Sequence, residues 1–315
     1  MSARVHCIIL NWRTAAMTLK AARAALVAME GIEGAITIVD NDSQDGSFET
    51  LSHETAGWPR VRVLQSGRNG GYGAGNNFGI RAGLPGGARA DFVYVLNSDA
   101  FPAPDAIHAL REHMMANPGL GLAGSHIHGP AGEPHVTAFR FPSIASEFEG
   151  AARTGPISRL LKNSIVALAQ PQSCQRVDWL AGASLMIRQE VFDAAGLFDE
   201  TFFLYFEETD LCRRAALAGW AAHYVPQSRV EHLGSVSTGM KTWSRVPRYW
   251  FDSRWRYFAK NHGRVYAGAA TLAHMAGLGL YGLRALAQRR KHHAPPYFFL
   301  DFLTHSLGFG PRSEN

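Results

Sequence analysis

The chain has 315 residues, 46% of them hydrophobic and 18% charged, enough apolar matter to bury a full core, which excludes a disordered chain and a small disulfide scaffold. Its formal net charge of +5 is unevenly placed: 19 basic and 23 acidic residues run up to Met240 (−4), and 12 basic against 3 acidic follow it (+9). The basic excess belongs to the last quarter, which excludes a nucleic-acid footprint spread over a domain.

Val5 to Leu10 is a continuous apolar run of the kind buried on both faces of a parallel sheet, and it stops at Asn11, too soon for a signal-peptide core. Leu19, Ala22, Leu26 and Met29 recur at helical spacing, with Gly31 closing the pattern. Ile36 to Val39 is a second strand. It ends on Asp40-Asn41-Asp42, short polar side chains that suit either the edge of a nucleobase or ribose, or an Asx-turn, with Ser47 as cap of the next helix.

A third strand, Val61 to Leu64, leads into Arg68-Asn69-Gly70-Gly71-Tyr72-Gly73-Ala74-Gly75-Asn76-Asn77 and a helix near Asn76 to Ala82. Such a loop either cradles a phosphate or makes a tight capped connection. The dinucleotide fingerprint fails in it, because Asn76 stands where the third glycine is needed and the stretch follows the third strand. Phe92 to Leu96 is a fourth strand closing on Asn97-Ser98-Asp99, hard oxygen donors suited to a divalent ion or to capping a helix near Pro104 to Met115. Leu120 to Ala123 is a short fifth strand, and Pro130 to Arg176 is a variable excursion.

Order resumes with a strand-like Val177 to Ile187, a short helix from Gln189 to Ala195, and a helix from Glu208 to Ala218. The latter opens on aromatics running into Glu207, Glu208 and Asp210, either an ordinary acidic first turn or a carboxylate with a raised pKa fit for general-base work. Glu207 and Glu208 point different ways on a helix, so one at most faces a given cleft. Ala221 to Val225 is a strand halted by Pro226, and His232 follows as a candidate metal ligand or a satisfied structural histidine. Three cysteines, Cys7, Cys174 and Cys212, without CxxC spacing argue against disulfides and structural zinc and fit a reducing, cytoplasmic setting.

Beyond residue 240 aromatics alternate with Arg245, Arg248, Arg254, Arg256 and Lys260 in an amphipathic helical region. The nineteen uncharged residues from Val265 to Leu283 are rich in Ala and Gly, which favours a packed helical hairpin over a membrane span. Arg289, Arg290, Lys291, His292 and His293 beside Tyr297-Phe298-Phe299 suit an anionic membrane surface, a solvated face or a homodimer contact.

Taken in order, these motifs resemble the family 2 glycosyltransferases with the GT-A fold, and within them the bacterial rhamnosyltransferase-type group. The resemblance spans Val5 to Gly234. It is carried most specifically by Val177-Asp178-Trp179-Leu180-Ala181-Gly182-Ala183, Gly196-Leu197-Phe198-Asp199-Glu200, Phe203-Leu204-Tyr205-Phe206-Glu207-Glu208-Thr209-Asp210-Leu211 and Gly219-Trp220. It implies an α/β, doubly wound, Rossmann-like mixed sheet over 1–240 as the catalytic domain and a basic, aromatic-rich helical extension over 241–315.

The resemblance further implies inverting transfer of a sugar, best matched by L-rhamnose from dTDP-rhamnose, to a hydroxyl of a bacterial cell-surface glycan or lipid-linked acceptor, in cell-wall or polysaccharide biosynthesis. By position, Glu208, or Glu207 beside it, is the catalytic base, and Asp99 with His232 holds Mg²⁺ or Mn²⁺. Asn11, Asp40, Asn41, Arg68, Asn69, Gly71, Asn76, Asn97, Ser98 and Trp179 contact the nucleotide-sugar. Asn97 stands where the family's DxD motif has its first carboxylate. A UDP-hexose donor and a catalytically silent nucleotide-sugar or glycan binder are the competing readings, and a position at the inner face of the cell membrane fits the tail.

Overall fold

The computed structural model describes residues 3–234, 243, 245–288, 295 and 297–308; the basic run Arg289 to His293 lies outside them. Two compact units divide the chain. The first is Met1–Phe139, Leu168–Phe203 and Glu207–Thr238; the second is Arg140–Ala167, Leu204–Phe206 and Gly239–Asn315.

The first unit is built on β1 (Val5–Asn11), β2 (Gly34–Asp40), β3 (Val61–Gln65), β4 (Phe92–Asn97), β5 (Ala100–Pro102), β6 (Leu120–His128), β10 (Ser184–Arg188) and β11 (Ala221–His232), in the sheet order β3-β2-β1-β4-β10-β6-β11-β5, with β8 (Gln175–Val177) also on β11. β7 (Ala138–Phe139) and β9 (Trp179–Leu180) form a separate pair. β1, β2, β3 and β4 run parallel, β6 and β11 run parallel to each other, and β10 is antiparallel to both β4 and β6. The sheet is mixed, and the carboxyl ends of β1, β2, β4, β6 and β11 share one edge with the start of β10.

Apolar runs become central strands because helices cover both faces. On one face, Ala21, Ala22, Ala25 and Ala28 of α1 (Ala15–Ala28) and Ile107, Leu110 and Met114 of α4 (Ala106–Ala116) bury Cys7, Ile9, Ile36, Ile38 and Tyr94. On the other, α3 (Gly71–Ala82) lies on β1 and β2, with Gly79 against Ile8 and Val39. The remaining helices of this unit are α2 (Ser47–Glu54), α7 (Gln189–Ala195) and α8 (Glu207–Leu217).

Several expectations are corrected. Ser47 is the first helical residue of α2, and the cap is Gly46 in the left-handed region. Helix α3 begins at Gly71, five residues before Asn76, because its glycine-rich first turns pack closely on neighbouring chain. The stretch from Val177 to Ile187 is not one strand but the end of β8, then β9 and β10. Pro226 does not halt β11. A register shift between Val225 and Arg229 absorbs it, a bulge being a position where a missing N–H breaks no ladder bond.

The second unit contains α5 (Ile144–Ala152), α6 (Gly155–Leu160), α9 (Arg248–His262), α10 (Arg264–Ala287) and α11 (Phe298–Ser306). Ser143 and Ser146 form a capping box at the start of α5. The expected hairpin over Val265 to Leu283 is one continuous helix, α10, whose Gly277 sits against Ala151 and the Phe148 carbonyl. Glu147 accepts hydrogen bonds from Arg254 at 2.7 and 2.9 Å and pairs with His274 at 2.7 Å. Burial opposes its ionisation, but Arg254 and His274 outweigh burial and hold the carboxyl below its ordinary value. Arg254 is thus a buried partner and not part of a basic surface; Arg245 pairs with Asp301 and Arg248 with Asp252.

Candidate functional site

At the ends of β1 and β2 a buried polar network fixes the chain. Asn11 donates through Nδ2 to Asp40 at 2.7 Å and to Ser43 Oγ at 3.2 Å, while its Oδ1 accepts from Thr18 at 2.6 Å. Asp40 is fully buried and also accepts from the Ser43 hydroxyl and backbone N–H, so both its oxygens are engaged within the protein. Next to it, Asn41 donates to Asn69 Oδ1 at 2.9 Å and to the Gly71 carbonyl at 3.2 Å, tying the glycine-rich loop to the sheet edge.

That loop is held from the other side too. Gly71 has φ of +87°, and a Cβ there would sit 2.0 Å from the Phe203 carbonyl, to which the Tyr72 N–H donates at 2.9 Å. Asn77 clamps the segment leading to α8, donating to the Phe198 carbonyl at 2.8 Å and accepting from the Phe198 N–H at 3.1 Å. Asn76 donates to the Tyr72 carbonyl, and its Oδ1 is buried without a hydrogen-bond partner among the described residues. Arg68 is exposed and lies 3.5 Å from Glu200, which Arg81 approaches to 2.7 Å.

At the end of β4, Ser98 accepts from Thr14 at 3.1 Å, and Asp99 is nearly buried. It does not cap α4, whose cap position is Asp105; β5 intervenes. β5 pairs with β11 so that Ala100 faces His232, and this ladder carries His232 Nε2 to 3.1 Å from Asp99 Oδ1, with the Asn97 amide 3.4 Å from the same nitrogen. Among the described residues no group of three or more His, Cys, Asp and Glu side chains gathers as for a metal. Asp99 and His232 are a two-donor set.

Glu207 and Glu208 open α8, directly after Tyr205 and Phe206, two non-glycine residues with φ of 69° and 68°. Each carboxyl has an Oε2 atom shut from solvent with no hydrogen-bond partner among the described residues. Burial, then the charge of Glu208, holds the Glu207 carboxyl far above its ordinary value. Burial pushes Glu208 up to about 7, against hydrogen bonds from its own backbone and from the Gly182 N–H. The first turn thus carries two carboxyls that burial makes reluctant to ionise, with Glu208 poised to exchange a proton near neutral pH. Farther along α8, Arg214 pairs with Asp210 at 2.7 Å and donates to the carbonyls of Gly196 and Leu197, fixing the helix to the preceding loop.

Gly182 links these parts. Its carbonyl accepts from Tyr72 Oη at 2.7 Å, its N–H reaches Glu208, and the next residue's carbonyl, that of Ala183, accepts from the Asn97 N–H at 3.0 Å. The structure therefore brings Asn97, Ser98, Asp99 and His232 together, and Asn11, Asp40, Asn41, Asn69 and Gly71 together, with Glu208 joined to the first group through 182–183. Trp179 is stacked on Phe139 with centroids 3.9 Å apart in the small β7–β9 sheet, whose strand β9 packs against α8. Sequence reasoning did not single out Tyr72, Asn77, Thr14, Thr18 or Ser43. Tyr72 had one available signal, a lone large aromatic inside a run of glycines.

The profile of the family described as "Glycosyltransferase like family 2" matches residues 3–268. An N-acetylglucosaminyl-diphospho-decaprenol L-rhamnosyltransferase of Mycobacterium tuberculosis is 32% identical over 235 residues, covering 72% of this chain and 75% of that protein. A dTDP-rhamnosyl transferase, RfbF, of Shigella flexneri is 22% identical over 74% of this chain and 70% of its own. Among solved structures, the mannosyltransferase PcManGT of Pyrobaculum calidifontis, in complex with GDP-Man and Mn²⁺, aligns with a TM-score of 0.58 at 14% identity over 98% of this chain and 80% of that one. With a mixed sheet whose polar strand ends gather on one edge, and a family match over most of its length, the chain belongs to the family 2-like glycosyltransferases and has the GT-A fold.

Proposed function

We propose that the chain is an inverting glycosyltransferase that moves L-rhamnose from dTDP-rhamnose to a hydroxyl of a lipid-linked glycan acceptor, with Glu208 as general base. The observation that carries the reading is the Glu208 carboxyl, half-buried at a helix start, unpartnered at Oε2 and raised to about 7. An acceptor hydroxyl placed against the half-buried Glu208 carboxylate gives up its proton there as its oxygen bonds to the anomeric carbon. The bond from that carbon to the nucleoside diphosphate breaks on the opposite face, the electron pair leaves with the diphosphate, and the configuration inverts.

Asp99 and His232 fit a hard divalent ion, Mg²⁺ or Mn²⁺. Ligands at right angles about an octahedral ion with bonds of about 2.1 Å stand about 3 Å apart, and such ions take one or two protein groups together with substrate phosphates; the two donor atoms here are 3.1 Å apart. When bound, the ion offsets charge on the leaving diphosphate. Asn97, whose amide lies 3.4 Å from His232 Nε2, would hold a water beside such an ion. The Asn11–Asp40–Ser43 and Asn41–Asn69–Gly71 contacts hold the nucleotide-binding edge in shape, with Arg68, Asn76, Ser98 and Trp179 completing the donor site.

The rhamnosyl choice and the lipid-linked acceptor rest on what the Mycobacterium and Shigella relatives are named for. No described helix is long and apolar enough to cross a membrane. Val265, Leu272, Leu283 and Leu286 on α10 are nonetheless largely exposed, and with Arg284 among them they suit attachment to an anionic membrane surface.

The test is a thermal-shift screen of nucleoside-diphosphate sugars with Mn²⁺, followed by detection of transferred sugar. We expect dTDP-rhamnose to raise the melting temperature most and to be consumed. Stabilisation by UDP-hexoses alone would reassign the donor, and binding without any transfer would make the chain a silent binder.

A further inference from the structure

β6 and β11 run in parallel with Arg229 in register with His126 and Glu231 in register with His128. That register exists only because of the irregularity between Val225 and Arg229, where Pro226, Gln227 and Ser228 depart from the ladder. Bulges of this kind re-aim side chains beside functional sites. This one sets a guanidinium opposite one imidazole and one pleat from another, the rings of His126 and His128 being 5.9 Å apart.

Arg229 stands opposite His126 across the two strands, so its guanidinium and that ring share one face of the sheet. Arg229 is exposed, and its guanidinium has no hydrogen bond or ion pair among the described residues. The two histidines are arranged to offer ring nitrogens beside it. His126 Nδ1 lies 2.9 Å from the Tyr224 hydroxyl and accepts from the Gln170 side-chain N–H, so Nε2 carries the proton. His128 donates from Nδ1 to the Gly129 carbonyl at 2.9 Å, leaving its Nε2 unengaged. Burial, then Arg229 and His128, holds His126 below the ordinary imidazole value, so the positive field of the guanidinium is felt at the ring.

We propose that Arg229, His126 and His128 form a phosphate-binding subsite on the β6–β11 face, separate from the Asp99–His232 pair. A planar guanidinium fork beside the His126 Nε2–H matches several oxygens on one centre, which a phosphate presents, with the His128 ring next to it. Glu231 bounds the cluster at the His128 end and faces any anion placed beyond it. The subsite lies at the functional edge of the sheet, since His128 ends β6 and the His135 ring is 6.0 Å from that of His232. It rests on the transferase reading only in assigning the phosphate to a substrate, either the diphosphate of the acceptor or that of the donor.

The experiment titrates the full chain with inorganic pyrophosphate in excess chelator, by calorimetry, so that metal-dependent binding at Asp99 and His232 is absent. Saturable binding is expected, weakened about tenfold or more by Arg229→Ala and again by His126→Gln, a loss of the size that removing one charged hydrogen-bonding partner produces. Arg229→Ala should keep the wild-type melting temperature, because the side chain is exposed. With transfer assayed, a raised KM for a diphosphate-bearing acceptor in Arg229→Ala assigns the site to the acceptor, and a raised KM for the nucleotide-sugar assigns it to the donor. Absence of saturable binding in chelator, or equal affinity in both variants and wild type, overturns the proposal. Pyrophosphate binding without transfer on any acceptor leaves the subsite standing and discards the transferase reading.

Discussion

Tyr72 and Gly182 are 110 residues apart in the chain and meet at one contact, the tyrosine hydroxyl donating to the glycine carbonyl at 2.7 Å. The same glycine's N–H, in the preceding peptide unit, reaches Glu208, so the tyrosine steadies a residue whose amide favours the ionised base. Tyr72→Phe should cost about 0.5–1.5 kcal/mol of stability, as for a single hydrogen bond. It should also move the acid limb of the pH–rate profile upward, because a looser Gly182 N–H favours the carboxylate less. A lower melting temperature with an unmoved pH profile would confine Tyr72 to a structural role. Gly182→Ala would place a methyl 2.7 Å from the Tyr72 oxygen and should do more damage than Tyr72→Phe.

Glu208→Gln should lower kcat by about 10²–10⁴, the usual contribution of a general base. The same change should raise stability in mild alkali. A carboxyl with a folded pKa of about 7 against an ordinary 4.5 contributes stability that is fully present below about 4.5 and is lost as pH rises through about 7. The glutamine escapes that loss, on the order of 1–3 kcal/mol. Melting curves at pH 5 and pH 8 check it, the variant gaining on wild type at pH 8. Wild-type turnover in Glu208→Gln would move the base to Glu207.

Removal of divalent ions should stop transfer, and Mn²⁺ or Mg²⁺ should restore it. Asp99→Asn and His232→Gln should each demand more metal for half-maximal rate, by about 10-fold or more, with Asp99→Asn the worse because it removes the charge. Undiminished transfer in excess chelator would exclude metal dependence.

Asn41→Ala releases the loop that carries Asn69 and Gly71 from the end of β2. It should destabilise by about 1–3 kcal/mol, because a buried hydrogen-bond network loses its centre, and it should raise the donor KM more than it lowers kcat. Calorimetry and donor titration measure both; a change in kcat alone would contradict this role.

Flotation with vesicles containing anionic lipid should carry the chain at low salt and release it as salt rises. Leu283→Glu with Leu286→Glu should abolish flotation without moving the melting temperature, since both side chains are more than two-thirds exposed. Retention of the double variant on the vesicles would remove the α10 face from the membrane reading.

Much of the sheet was legible because continuous apolar runs such as Val5 to Leu10 and Phe92 to Leu96 have no other stable use than a doubly covered strand. Glycine and proline were read too strictly as punctuation. Gly277 in α10 marks close packing on Ala151, and Pro226 sits in a bulge, so one helix was expected as two and one strand was expected to stop early. Asp40 was legible by position, and its contacts with Ser43, three residues on, fit the Asx-turn alternative, but its engagement with Asn11 was not legible, since a contact 29 residues apart leaves no local pattern. Tyr72 escaped for the same reason: only the folded chain brings residue 182 to it.

The reversed strand β10 has a consequence for how such a chain can change over time. Because β10 runs opposite to β6, the intervening stretch leaves the sheet and returns to it at the same edge. Insertions in the loops between those two anchor points leave the strand order undisturbed, while β8 on β11 and α5 on α10 keep the rest of the stretch in place. One half of the edge can therefore be rewritten while Asn11, Asp40, Asp99 and their partners stay in place. A chimera carrying a relative's stretch between His128 and Gln175 must bring matching partners for α5, because Glu147 and Ala151 pack against Arg254, His274 and Gly277.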